Sequence, residues 1–167
     1  MGYAGDRVTA WLHPELDPGD TGYQILQSLY AIGSGGLFGL GYGKSRQKYL
    51  YLPFQYNDYI FAVICEELGL VGAMAIVALF AVTILRGYWI ALNARDRFST
   101  VLAAGLVTLI AVQTILNLCV VTNLLPSTGI ALPFFSYGGT ALAVNLGEMG
   151  IVLGISRGRN RRKIQEA

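Results

Sequence analysis

Charge is scarce in this chain, and the scarcity sets the first limits on what it can be. Only 13% of its 167 residues are charged while 54% are hydrophobic, and the mean hydropathy is +0.51. A soluble domain of this length carries about 25% charged residues, so that class is excluded and an integral membrane protein is expected. Cysteine is nearly absent. Cys65 and Cys119 both fall in apolar runs rather than loops, which argues against a disulfide framework and leaves the redox compartment open. The opening stretch MGYAGDRVTAWLHPELDPGD has no apolar core segment, so it does not resemble a signal peptide. Another element inserts the chain, or the sequence begins partway through a longer protein.

What is abundant is long apolar sequence. Leu68–Leu85 and Phe98–Thr122 run without a charge, and Thr140–Ile155 is interrupted only by Asn145 and Glu148. A hydrocarbon core needs about 20 apolar residues, so three spanning helices are expected, at about 58–85, 98–122 and 140–156. The fold class is therefore an all-α polytopic membrane protein, with residues 1–57 as a large outer loop and 58–167 as the membrane domain. Basic residues cluster at Arg86, Arg95 and Arg97 between the first two spans, and at Arg157, Arg159, Arg161, Arg162 and Lys163 after the third. The positive-inside rule puts both clusters in the cytoplasm and residues 1–57 outside. A basic tail can bind RNA, but anchoring to anionic membrane lipids is the commoner use, and nucleic acid is not expected as a partner.

Within the outer loop, residues 1–22 read as irregular, broken by Pro14, Pro18 and glycines. Tyr23–Ile32 then sets Ile25, Leu26, Leu29 and Ile32 at helical spacing, with Gln24, Gln27 and Ser28 on the other side: a short amphipathic helix at the interface or packed on the spans. Six glycines follow between Gly33 and Gly43. They fit neither the Walker nor the dinucleotide pattern, because Phe38 stands where each requires glycine. The run is either a flexible exposed turn or a set of backbone amides able to approach a pyrophosphate beside Lys44, Arg46 and Lys48.

Three acids mark the first span. Asn57 or Asp58 can cap its N-terminus. Glu66 and Glu67 lie inside it, where a charge costs about 2.5–3.5 kcal/mol and must find protein, water, an interface or a proton. At about 100° per residue Glu66 lies about 80° and Glu67 about 180° from Asp58, so Glu66 flanks any cavity at Asp58 and Glu67 meets a neighbouring helix. Gln113 and Asn117 on the second span, and Asn145 and Glu148 on the third, add polar faces that imply a shared polar interior. The connection Asn123–Gly139 carries Phe134, Phe135 and Tyr137, an amphipathic set suited to the outer interface.

The segments GYQILQSLYAIGSGGLFGLGYGKSRQKYLYLP, NDYIFAVICEELGLVG and NLCVVTNLLPSTGIALPFFSYGGTAL together resemble the SEDS family of shape, elongation, division and sporulation proteins. Members have ten membrane helices, and this chain resembles the last three with the large outer loop before them. The resemblance implies a peptidoglycan glycosyltransferase of the bacterial plasma membrane that polymerises lipid II beside a class B penicillin-binding protein. The family's essential acid maps onto Asp58. The same reading makes Gln24, Ser28, Gly43, Lys48, Glu66, Ser136, Tyr137 and Gly138 candidate substrate contacts. Lys48 or a divalent cation, Mg or Mn, would stabilise the departing diphosphate. The chain departs from the family at Phe54, often Glu, and at Asn123 and Ala131, often Gly and Pro. A lipid II flippase and a non-catalytic membrane partner of a transpeptidase are the rival readings.

Overall fold

The computed structural model describes residues 3–16, 21–45 and 58–165. Among them the chain is helical: α1 (Tyr3–Leu12), a 3-10 turn (Pro14–Leu16), α2 (Thr21–Gly35), α3 (Ile60–Leu92), α4 (Arg97–Val121) and α5 (Gly139–Gln165). Three helices are long and apolar enough to cross a membrane: Ile60–Leu92, Arg97–Val121 and Gly139–Gly158. The protein is thus a polytopic, all-α membrane protein. The second span agrees with expectation to within one residue at each end. Its start is set by Asp96, whose carboxylate accepts the Ser99 amide at 3.0 Å and the Ser99 hydroxyl at 2.8 Å. Those bonds hold the exposed Asp96 carboxyl below its ordinary pKa.

Two expectations for the outer segment are corrected. Residues 3–12 form a helix, not a loop, since between Asp6 and His13 no proline or glycine interrupts the chain and Pro14 ends it. In α2 the buried stripe is Ile25, Ser28, Ala31 and Gly35, while Leu29 lies on the exposed side. Small residues win this face because they let α2 approach closely. Ser28 is fully buried, its hydroxyl donating to the Ile25 carbonyl at 2.8 Å and reaching the Val121 carbonyl at 3.3 Å.

The first span is longer than expected and broken. Across its 33 residues, Gly69 departs from helical geometry with φ 68° and ψ −169°. A helix interrupted at membrane depth exposes carbonyls on one side of the break and amides on the other, each costing several kcal/mol if left in hydrocarbon. The glycine run satisfies both. The amides of Leu40 and Gly41 donate to the carbonyls of Glu66 and Glu67 at 2.9 and 3.0 Å. In return the amides of Leu70 and Val71 donate to the carbonyls of Gly36 and Leu37 at 2.9 and 3.2 Å. A Cβ at Gly35 would overlap the Cys65 carbonyl, one at Gly39 the Glu67 carbonyl, and one at Gly69 the Gly39 amide. The glycines therefore permit backbone-to-backbone contact. The reading of this run as a flexible exposed turn, or as free amides for a pyrophosphate, is corrected for Leu40 and Gly41.

Around this joint, Ala31, Tyr59, Phe61, Cys65, Ile76, Phe80, Val121 and Leu132 form a first core. A second core of Ala91, Ala103, Val107 and Val152 joins the other ends of α3, α4 and α5. Close approach of α3 to α4 there depends on Gly87, whose missing side chain makes room for Val107.

Gly39→Ala is expected to destabilise the protein by about 1–3 kcal/mol or more, because a methyl is driven onto the Glu67 carbonyl at a residue with φ 76°. Gly33→Ala, in open space on α2, should leave stability unchanged or raise it by up to about 1 kcal/mol. Melting temperatures of the detergent-purified variants check both, and an unaffected Gly39→Ala protein would contradict the packed joint.

Candidate functional site

Asp58 stands just before α3, half-buried, where α1 and the connection between α4 and α5 meet the mouth of the first span. It does not cap the helix. The N-cap residue is Tyr59, whose side chain makes no capping hydrogen bond; Asn57, the other expected cap, lies outside the described residues. The Asp58 carboxylate instead faces the connection, with Oδ2 3.6 Å from the position a Cβ on Gly129 would take.

Four side chains tie this corner together. Asn117 Nδ2, buried on α4, donates to the Asp58 and Ile130 carbonyls at 2.8 Å each. Its Oδ1 has no hydrogen-bond partner among the described residues, so Asn117 serves here through its donor. Tyr59, fully buried, points its hydroxyl at Ser127 Oγ over 3.4 Å. From α1, Arg7 Nη1 donates to the Ser127 carbonyl at 2.9 Å and Trp11 Nε1 to the Asn123 carbonyl at 3.0 Å. Asn123 sits at φ 58°, a left-handed conformation that asparagine tolerates best after glycine.

Burial pushes the Asp58 carboxyl above its ordinary pKa, and the nearby Arg7 charge opposes that rise. Burial likewise raises the Tyr59 phenol. The site is thus a partly desolvated carboxylate that has, among the described residues, the Arg7 guanidinium for a charged neighbour. Among the described residues no group of three His, Cys, Asp or Glu side chains gathers as a metal site.

The other expected site residues are dispersed. Gln24 is half-buried on α2, and Gly43 is exposed beyond the glycine joint. Ser28, with no exposed surface, joins α2 to α4 and cannot meet a substrate in this conformation. Glu66 is 1% exposed, about 9 Å of helical rise below Ile60, and accepts the Ser45 hydroxyl; it does not flank Asp58. Lys48 lies outside the described residues. Ser136, Tyr137 and Gly138 follow Gly129 on the same connection. Ser136 Oγ accepts the Leu132 amide at 2.7 Å, Tyr137 is 83% exposed, and the Gly138 carbonyl accepts the Leu142 amide as α5 begins. Beneath that connection, Gln113, Ile130, Thr140, Val144 and Asn145 line a cavity of about 500 Å³ between α4 and α5. The expected polar interior is thereby divided: Asn117 holds Asp58, while Gln113 and Asn145 face the cavity.

Sequence reasoning missed Arg7, Ser127 and Gly129. The one available signal was the Arg7 and Trp11 pair, four apart and so on one helical face.

The family model described as cell cycle protein, covering FtsW, RodA and SpoVE, matches residues 1–161. Stage V sporulation protein E of Bacillus subtilis is 50% identical over 93% of this chain and 42% of its own length. A probable peptidoglycan glycosyltransferase FtsW of Geobacter metallireducens is 48% identical over 92% of this chain and 41% of its own. Among solved structures, a chain of a peptidoglycan synthase complex that coordinates polymerization and crosslinking superposes with a TM-score of 0.76 at 29% identity, over 95% of this chain and 43% of that one. A mutant of the rod shape determining protein RodA of Thermus thermophilus gives 0.62 at 32% identity, over 79% of this chain and 40% of its own. The chain thus spans about two fifths of the length of the curated relatives it matches.

Asn117→Leu should cost about 1–3 kcal/mol, since it strands two carbonyls at the site. Gln113→Leu, one turn away and facing the cavity, should change stability far less. Equal melting temperatures for the two variants would contradict the role given to Asn117.

Proposed function

Since the chain belongs to the FtsW, RodA and SpoVE family of cell cycle proteins, we propose that the protein it represents is a peptidoglycan glycosyltransferase polymerising lipid II in cell-wall synthesis. The observation that carries this reading is the half-buried Asp58 carboxylate, held at the mouth of a membrane helix with Arg7 beside it. A carboxylate in that position can take the proton from an acceptor sugar hydroxyl as its oxygen attacks the donor's anomeric carbon. The bond from that carbon to the lipid diphosphate then breaks, inverting its configuration, and the diphosphate leaves with the electron pair. Asn117 holds the Asp58 backbone still, so the carboxylate is placed before substrate arrives.

Basic residues at Arg86, Arg95 and Arg97 and in the C-terminal tail favour an orientation with Asp58 on the outer side of the membrane. A class B penicillin-binding protein is the proposed partner, supported by the likeness to a synthase complex that joins polymerization to crosslinking.

Asp58→Asn keeps the shape of the side chain and removes the base. In the whole protein it should lower glycan polymerisation from purified lipid II by on the order of 10²–10⁴-fold, with membrane insertion and partner copurification intact. Polymerisation at the wild-type rate would overturn the assignment. Loss of lipid II movement between proteoliposome leaflets, with polymerisation retained, would favour the flippase.

A further inference from the structure

We propose that Arg7 is the positioning residue of Asp58: its guanidinium fastens the α4–α5 connection beside the carboxylate and brings a positive charge to the site. This rests on the reading of Asp58 as the base. The geometry comes from three parts of the chain. Arg7 Nη1 donates to the Ser127 carbonyl at 2.9 Å, across 120 positions of sequence. Two residues further, a Cβ on Gly129 would stand 3.6 Å from Asp58 Oδ2, so the backbone that Arg7 holds runs past the carboxylate. Trp11, one helical turn along α1, bonds the Asn123 carbonyl at 3.0 Å. With two anchors on one face, α1 is fixed in register and Arg7 is held over the site.

The charge has a separate consequence. Among the described residues, the groups facing Asp58 are Arg7 from α1, Tyr59 beside it, Asn117 from α4, and Ser127 and Gly129 from the connection. Only Arg7 in this set carries a positive charge. Burial alone would drive Asp58 toward the protonated form, in which it cannot accept the acceptor's proton, and the guanidinium works against that. Arginine suits both tasks, because its planar fork can hold a carbonyl in fixed geometry without losing its charge, whereas a lysine ammonium is a mobile point charge.

Charge and geometry separate in two variants. Arg7→Gln keeps a hydrogen-bond donor and loses the charge; Arg7→Lys keeps the charge and loses the fork. Polymerisation of purified lipid II by the whole protein with its transpeptidase is followed as a function of pH for both, with Asp58→Asn as reference and melting temperature as the measure of folding. Removing a positive neighbour raises the carboxyl pKa, so the acid limb of the Arg7→Gln profile should move to higher pH, with activity recovering as pH rises. Arg7→Lys should keep the limb near its wild-type position while losing up to about 10²-fold in rate from misplacement. An unmoved acid limb in Arg7→Gln, whether the rate is unchanged or uniformly lowered, would overturn the role of Arg7 while an inactive Asp58→Asn leaves the base in place. Wild-type activity in Asp58→Asn would overturn both.

Discussion

A membrane helix that stops being a helix must find partners for its backbone, and this protein is arranged around that requirement. The break at Gly69 exposes the Glu66 and Glu67 carbonyls and the Leu70 and Val71 amides, and the turn after α2 supplies the complement to all four. Bonds of this kind form only if two backbones touch, which is why glycine recurs at positions 35, 39 and 69. The turn holds α2 against α3. That contact in turn sets the first core, in which Tyr59 is buried, and so the place of Asp58 just before α3.

From that fixed point the site is assembled by side chains reaching across large sequence separations. Asn117 comes from the second span, Ser127 and Gly129 from the connection beyond it, and Arg7 from a helix far earlier in the chain. Asn117 and Arg7 each use a directional bond to backbone, not a loose contact, so the groups around the carboxylate are themselves held. The arrangement leaves Asp58 partly desolvated, which raises its affinity for a proton, while the Arg7 charge opposes that rise. Glu66, the nearest other buried acid along the same helix, is kept apart by its bond to Ser45.

Much of this was legible in the amino-acid sequence. Hydrophobic run length located the spans, with α4 matched closely because Asp96 is both a charge boundary and a helix cap. The family was legible from three ordered motifs. α1 was not, because Pro14, Pro18 and the glycines around a ten-residue helix mask its short periodicity. The glycine run was misread for a deeper reason: composition shows that backbones can approach there, but not which backbone does. Its partner was a second glycine inside an apolar run that periodicity treats as unbroken helix. Ser28 looked polar and therefore outward, yet two carbonyls satisfy its hydroxyl inside the packing. Arg7 was invisible in kind, since a single arginine in a polar stretch acquires meaning only when the fold brings Ser127 to it.

The account turns on whether the break in α3 is sealed by the glycine turn in the native membrane. Hydrogen–deuterium exchange of the whole protein in lipid nanodiscs measures this directly at the amides of Leu40, Gly41, Leu70 and Val71. Exchange at all four should be as slow as in the middle of α4, because each amide donates to a carbonyl across the joint. Exchange at those amides as fast as in an exposed loop would contradict it.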